Sequence, residues 1–126
     1  MLDCIAIGAG GAVGAVLRYL LGLVPLKTDL PIKTAFINVL GCFAIGIIAG
    51  LAEKPFGDVH PRLVLFLKVG ICGGFTTFSS FALETGDLMS GGKYAAATVY
   101  VLASTVLGIA AVFLGQFLIK SVILGK

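Results

Sequence analysis

The run Gly73-Gly74-Phe75-Thr76-Thr77-Phe78-Ser79-Ser80-Phe81 places two glycines, four hydroxyls and three phenylalanines inside a long apolar stretch. Its chemistry suits small ions. The hydroxyls of Thr77, Ser79 and Ser80 are hydrogen-bond donors, and the positive rims of the Phe78 and Phe81 rings admit an anion edge-on without a full opposite charge. The amide of Asn38 and the hydroxyl of Ser104 belong to the same donor set. Weak, repeated donors favour conduction, because the ion must shed water without being trapped. A glycine-rich interruption between Gly73 and Thr77 would also free carbonyl oxygens, which are ligands for a hard cation such as Na⁺. Freed backbone survives inside a bilayer only where protein or water satisfies it, which makes this segment the first candidate site.

The elements that must position these groups follow from composition. The chain has 126 residues, 59% hydrophobic and 12% charged, with a mean hydropathy of +1.12. That is a membrane protein. A span takes about 20 apolar residues, and four fit, at about 4–26, 34–52, 63–83 and 94–119. They predict a single all-α domain over 1–126 with four transmembrane helices, the third broken near its middle, and leave no room for a soluble catalytic domain. No Lys or Arg precedes Asp3, so a retained first span is expected rather than a cleaved leader.

Charge gives little instruction about orientation. Lys54, Arg62, Lys68, Lys120 and Lys126 fall on the side of the N-terminus, and Arg18, Lys27, Lys33 and Lys93 on the other, five against four. So small a bias admits insertion both ways, with two opposed copies forming an inverted pair, or a fixed topology set by other loop features. Four spans are few to enclose a path, which favours at least a dimer.

Along the spans, Gly10 and Gly14 have the spacing of a close-packing face, and Arg18 follows on that face as either an interfacial anchor or a vestibule charge that attracts anions. Pro25 and Pro31 bracket the loop from Lys27 to Asp29, so span one should stop there and span two start near Lys33 or Thr34. Asn38 is either interhelical glue or part of an anion path. The loop from Glu53 to Arg62, with Pro55, Gly57, His60 and Pro61, reads as a solvated connector. Beyond the break, Phe75, Phe78 and Phe81 would share one helical face and Thr77 and Ser80 a neighbouring one, with Glu84 extending it toward the surface. In span four, Tyr100, Ser104 and Gly108 form a stripe flanked by Thr105, and Gln116 is interfacial. Cys4, Cys42 and Cys72 lack metal-ligand spacing and are expected to be packing residues.

No Asp, Glu or His falls mid-span, so the usual proton-relay side chains are missing. No nucleophile with a base, metal-ligand cluster or phosphate loop is evident, and the chain is not expected to be an enzyme.

The nine-residue run, preceded by Gly14-x-x-x-Arg18 and Asn38 and followed by Tyr100 and Ser104, resembles the Fluc (CrcB) fluoride channels over the whole chain. The resemblance implies an antiparallel, dual-topology homodimer with two fluoride pores and a central structural Na⁺. It implies that main-chain carbonyls of Gly73 and Thr76 hold the sodium and that Phe78 and Phe81 turn ring edges to fluoride. By the same resemblance Asn38 is a pore amide, Tyr100 and Ser104 belong to a hydroxyl track, Arg18 to the vestibule and Glu84 to the span-three mouth. The implied role is passive fluoride export across a prokaryotic inner or plasma membrane. Departures are Ser80, where Thr is expected, and Gly108 and Val112, where hydroxyls are expected. The rivals are a small multidrug exporter, which needs a carboxylate embedded in its first span where this chain has only Asp3, and a non-conducting membrane subunit, which has little use for the hydroxyl and phenylalanine run.

Overall fold

The computed structural model describes residues 1–26, 28, 30–53 and 59–124. Lys27, Asp29, Lys54, Pro55, Gly57 and Lys126 lie outside the described residues. Among the described residues every regular element is a helix: α1 (Leu2–Gly22), α2 (Ile32–Ala52), a third span assembled from several pieces, and α6 (Tyr94–Leu124). The third span comprises α3 (Pro61–Val64), a π-helical stretch (Leu65–Cys72), α4 (Gly73–Phe75) and α5 (Phe78–Ser90). Among the described residues four helices are long and apolar enough to cross a membrane, the third of them running from Pro61 to Ser90 and bent by 19°.

The ends follow local chemistry. α1 stops at Gly22, short of the expected 26, because Pro25 disfavours helix at Val24 and the chain tightens into i→i−3 bonds from Leu23 and Val24. α2 starts directly after Pro31. His60 caps α3, its Nδ1 accepting from the Arg62 amide at 3.2 Å, with Pro61 at the first helical position. α5 ends in a Schellman motif. Gly92 takes φ 72°, its amide bonds Met89, and the Lys93 amide bonds the Leu88 carbonyl at 2.8 Å.

Two helix pairs carry the packing: α2 lies along α6, and α1 along the first half of the third span. Glycine sets both distances. A Cβ on Gly14 would meet the Ile71 carbonyl and the Phe75 amide, and one on Gly74 would meet the Gly11 carbonyl, so the Gly10 and Gly14 face is a packing face. Gly46 likewise lies against the Val112 carbonyl. Large apolar side chains such as Val16, Leu20, Val106, Phe113 and Phe117 point outward, as lipid requires.

Ion pairs fix the faces. Arg62 bonds Asp3 at 2.9 Å, joining the starts of α1 and α3, and Lys120 bonds Glu53 at 3.1 Å, joining the ends of α2 and α6. The spans therefore alternate in direction, with the start of α1 and the end of α6 on one face.

Candidate functional site

The helix of the third span opens at Thr76–Thr77, not at the glycines. Gly73 and Gly74 stay helical, whereas Thr76 (ψ 159°) and Thr77 (φ −149°, ψ 111°) are extended. The expectation placed the break by glycine's weak helix propensity, but Gly74 serves close approach to α1, and the threonines, which bond local backbone readily, carry the turn. One consequence corrects the shared phenylalanine face. Phe75 precedes the opening and is 8% exposed, while Phe78 follows it and is 79% exposed.

Asn38 holds the opening. The Thr77 amide donates to Asn38 Oδ1 at 2.7 Å, and Asn38 Nδ2 donates to the Thr77 carbonyl at 3.0 Å. In an unbroken helix the Thr77 amide would bond the Gly73 carbonyl. Its diversion leaves that oxygen without its helical donor, and the Thr76 carbonyl lies beyond the helix end. Both residues line the same open groove, so they fit the requirement for hard oxygen ligands. Thr77 then caps α5: its Oγ1 accepts from the Ser80 amide at 3.1 Å and donates to Ser80 Oγ at 3.0 Å.

The groove has a volume of about 510 Å³. Asn38, Gly73, Thr76, Thr77, Phe78, Phe81 and Ser104 line it. Phe78 and Phe81 lie 5.7 Å apart between ring centroids, and Phe81 and Tyr100 5.2 Å apart, making a tilted aromatic chain. Ser104 Oγ is hidden from solvent without a hydrogen-bond partner, the one such side-chain atom found among the described residues. Ser104 lines the groove as a residue, so a rotation about its Cα–Cβ bond would present this unpartnered hydroxyl to the open space.

A second cavity, of about 430 Å³, opens toward the opposite face and shares Thr77 with the first. Arg18, Lys33, Thr34, Ser80 and Glu84 stand around it. Glu84 is oriented by two hydroxyls, Thr34 donating to Oε1 at 2.6 Å and Tyr100 to Oε2 at 2.7 Å. The structure thus gathers Arg18 and Glu84 at one mouth and Asn38, Thr77, Phe78, Phe81 and Ser104 along one groove. Tyr100 stands behind the groove, between Phe81 and Glu84. Ser79 lines neither cavity and lies 3.3 Å from Thr77 Oγ1. Past Ser104 the stripe runs into packing: Gly108 faces Cys42 Sγ, and the Val112 backbone meets Gly46.

Sequence reading missed Thr34 as the partner of Glu84. Its spacing of four from Asn38 on α2 was the available signal. It also missed that Lys33 stands at the mouth, its Nζ bonding the Gly22 carbonyl at 2.9 Å, and that Cys42, Lys68 and Cys72 line the groove.

A family model described as CrcB-like protein, Camphor Resistance (CrcB), matches residues 5–116. A protein of Rhodospirillum centenum named "Fluoride-specific ion channel FluC" is 43% identical over 122 residues, covering 94% of this chain and 96% of its own length. One of the same name from Methylobacterium radiotolerans is 46% identical over 117 residues, covering 90% of this chain and 81% of its own. A third, from Azobacteroides pseudotrichonymphae, is 40% identical over 115 residues, covering 89% and 91%.

Proposed function

This chain belongs to the CrcB family of fluoride-specific ion channels, a multi-pass membrane channel and not an enzyme, and we propose that it passively exports fluoride through two pores of an antiparallel homodimer with a central sodium ion. The Ser104 Oγ, which has no partner in the protein and belongs to a residue lining the groove beside Phe78 and Phe81, carries this reading. Fluoride enters past Arg18 and Lys33 and meets the hydroxyls of Thr77 and Ser80 at the point the two cavities share. It then exchanges water for the Phe78 and Phe81 edges and the Ser104 hydroxyl.

A second copy in the opposite orientation is favoured by the groove itself. Phe78 is largely exposed on a wall that a single copy leaves open, and the positive charges are nearly balanced between faces. At such an interface the Gly73 and Thr76 carbonyls of two copies would provide four oxygens, a fitting set for sodium, whose charge would draw anions nearby. The setting is a prokaryotic inner or plasma membrane.

The test is fluoride efflux from proteoliposomes, read by a fluoride electrode after a potassium ionophore is added. Rapid fluoride release with far slower chloride release is expected. Proton-coupled uptake of a lipophilic cation with no fluoride current would support the exporter instead.

A further inference from the structure

Lys68 is the residue of the groove that neither helix packing nor the ion-binding groups account for. It lies seven residues inside the third span, about 10 Å from its start at 1.5 Å per residue, a depth at which a cation is expensive unless it faces water or function. Its side chain is exposed and lines the groove that holds Thr77, Phe78, Phe81 and Ser104. No carboxylate neutralises it among the described residues: Asp3 is taken by Arg62, Glu53 by Lys120, Glu84 is held by Thr34 and Tyr100 at the other cavity, and Asp87 stands beside Lys93 at the far end of the third span. Nor does any acidic side chain among the described residues line the groove. Arg18 and Lys33 stand at the second cavity, toward the face opposite the Asp3 and Arg62 pair.

From this arrangement we propose that Lys68 is the fixed cation of the far mouth, concentrating fluoride at the end of the groove remote from Arg18. This rests on the fluoride-channel reading and adds to it a second electrostatic entrance. The first mouth, with Arg18, Lys33 and Glu84, keeps one net positive charge, and Lys68 gives the other end the same sign. Low-dielectric walls focus the field of a single charge along a groove, so the ammonium raises the local anion concentration without binding the ion tightly. The rest of the π-helical stretch and α4 separate it from Thr76, which keeps it from competing with the central donors.

The test compares fluoride efflux of wild type, Lys68→Gln, Lys68→Arg and Lys68→Glu at low and high salt. At about 10 mM ionic strength, where the Debye length is about 30 Å, Lys68→Gln should conduct about threefold more slowly than wild type, and Lys68→Glu more slowly still. Lys68→Arg should match wild type. At about 1 M salt, where the Debye length is about 3 Å, the four should converge. Equal rates for wild type and Lys68→Gln at low salt would overturn the proposal. So would a loss that persists at high salt and that Lys68→Arg does not rescue, since that marks a packing role. A wild type that releases no fluoride in either salt defeats the channel reading itself, and the role of Lys68 with it.

Discussion

Asn38 and Thr77 exchange two hydrogen bonds, at 2.7 and 3.0 Å, and this pairing takes the place of the helical bonds lost where the third span opens. One side chain on α2 thereby satisfies both main-chain groups of a residue that is 8% exposed. In hydrocarbon each of those groups left bare costs several kcal/mol, so the opening exists because Asn38 is there.

Asn38→Ala should therefore lower stability by about 2–4 kcal/mol, the sum of two unsatisfied groups, and suppress fluoride efflux as well. Asn38→Asp keeps the acceptor for the Thr77 amide, loses the donor to its carbonyl and adds a negative charge to the groove. It should fold better than the alanine variant yet conduct as poorly. Thermal unfolding in detergent, read beside efflux, checks both.

Thr34 and Tyr100 grip the two oxygens of one carboxylate. Thr34→Val and Tyr100→Phe should each cost about 1.5–3 kcal/mol, as loss of a hydrogen bond to a charged group does. The double variant should cost less than the sum, because each hydroxyl serves Glu84 only while the other holds it. A double-mutant cycle by chemical denaturation in micelles measures the coupling; strict additivity would show that the two act separately.

Glycine substitutions separate close approach from chain flexibility. Gly14→Ala and Gly74→Ala place a Cβ against neighbouring main chain that cannot yield, and should destabilise by about 1–3 kcal/mol or more. Gly8→Ala meets nothing within 4 Å and should be neutral or slightly stabilising through helix propensity. The monodisperse fraction in size-exclusion chromatography reports the difference.

Much of this was legible in the residues. Apolar length set the four spans, the Gly10 and Gly14 spacing set the α1 seam, and the hydroxyl and phenylalanine run located the opening to within a few residues. The rest depends on contacts between elements that are distant in sequence. Within the expected stretch from Gly73 to Thr77 the opening falls on the two threonines because Gly74 is needed against Gly11, and a glycine required for packing has the same sequence signature as one required for unwinding. Thr34 was overlooked because its meaning lies in Glu84, fifty positions away. The π-helical stretch leaves no periodicity signal in a segment that is apolar but for Lys68.

Phe81→Ile keeps apolar bulk while removing the polarised ring rim that faces the groove. Fluoride efflux should slow sharply with the fold retained, since the substitution conserves most of the buried volume. Unchanged flux would remove that ring from the path.

The most direct measurement concerns Ser104, whose buried hydroxyl has no partner in the protein. Removing it relieves an unsatisfied polar atom, so Ser104→Ala should be as stable as wild type or more so. Its initial rate of fluoride efflux, at matched amounts of folded protein, should fall about tenfold or more, the worth of one hydrogen bond to a charged species. A rate equal to wild type would contradict the account, because the hydroxyl would then be unsatisfied for no purpose and the groove would not be the path.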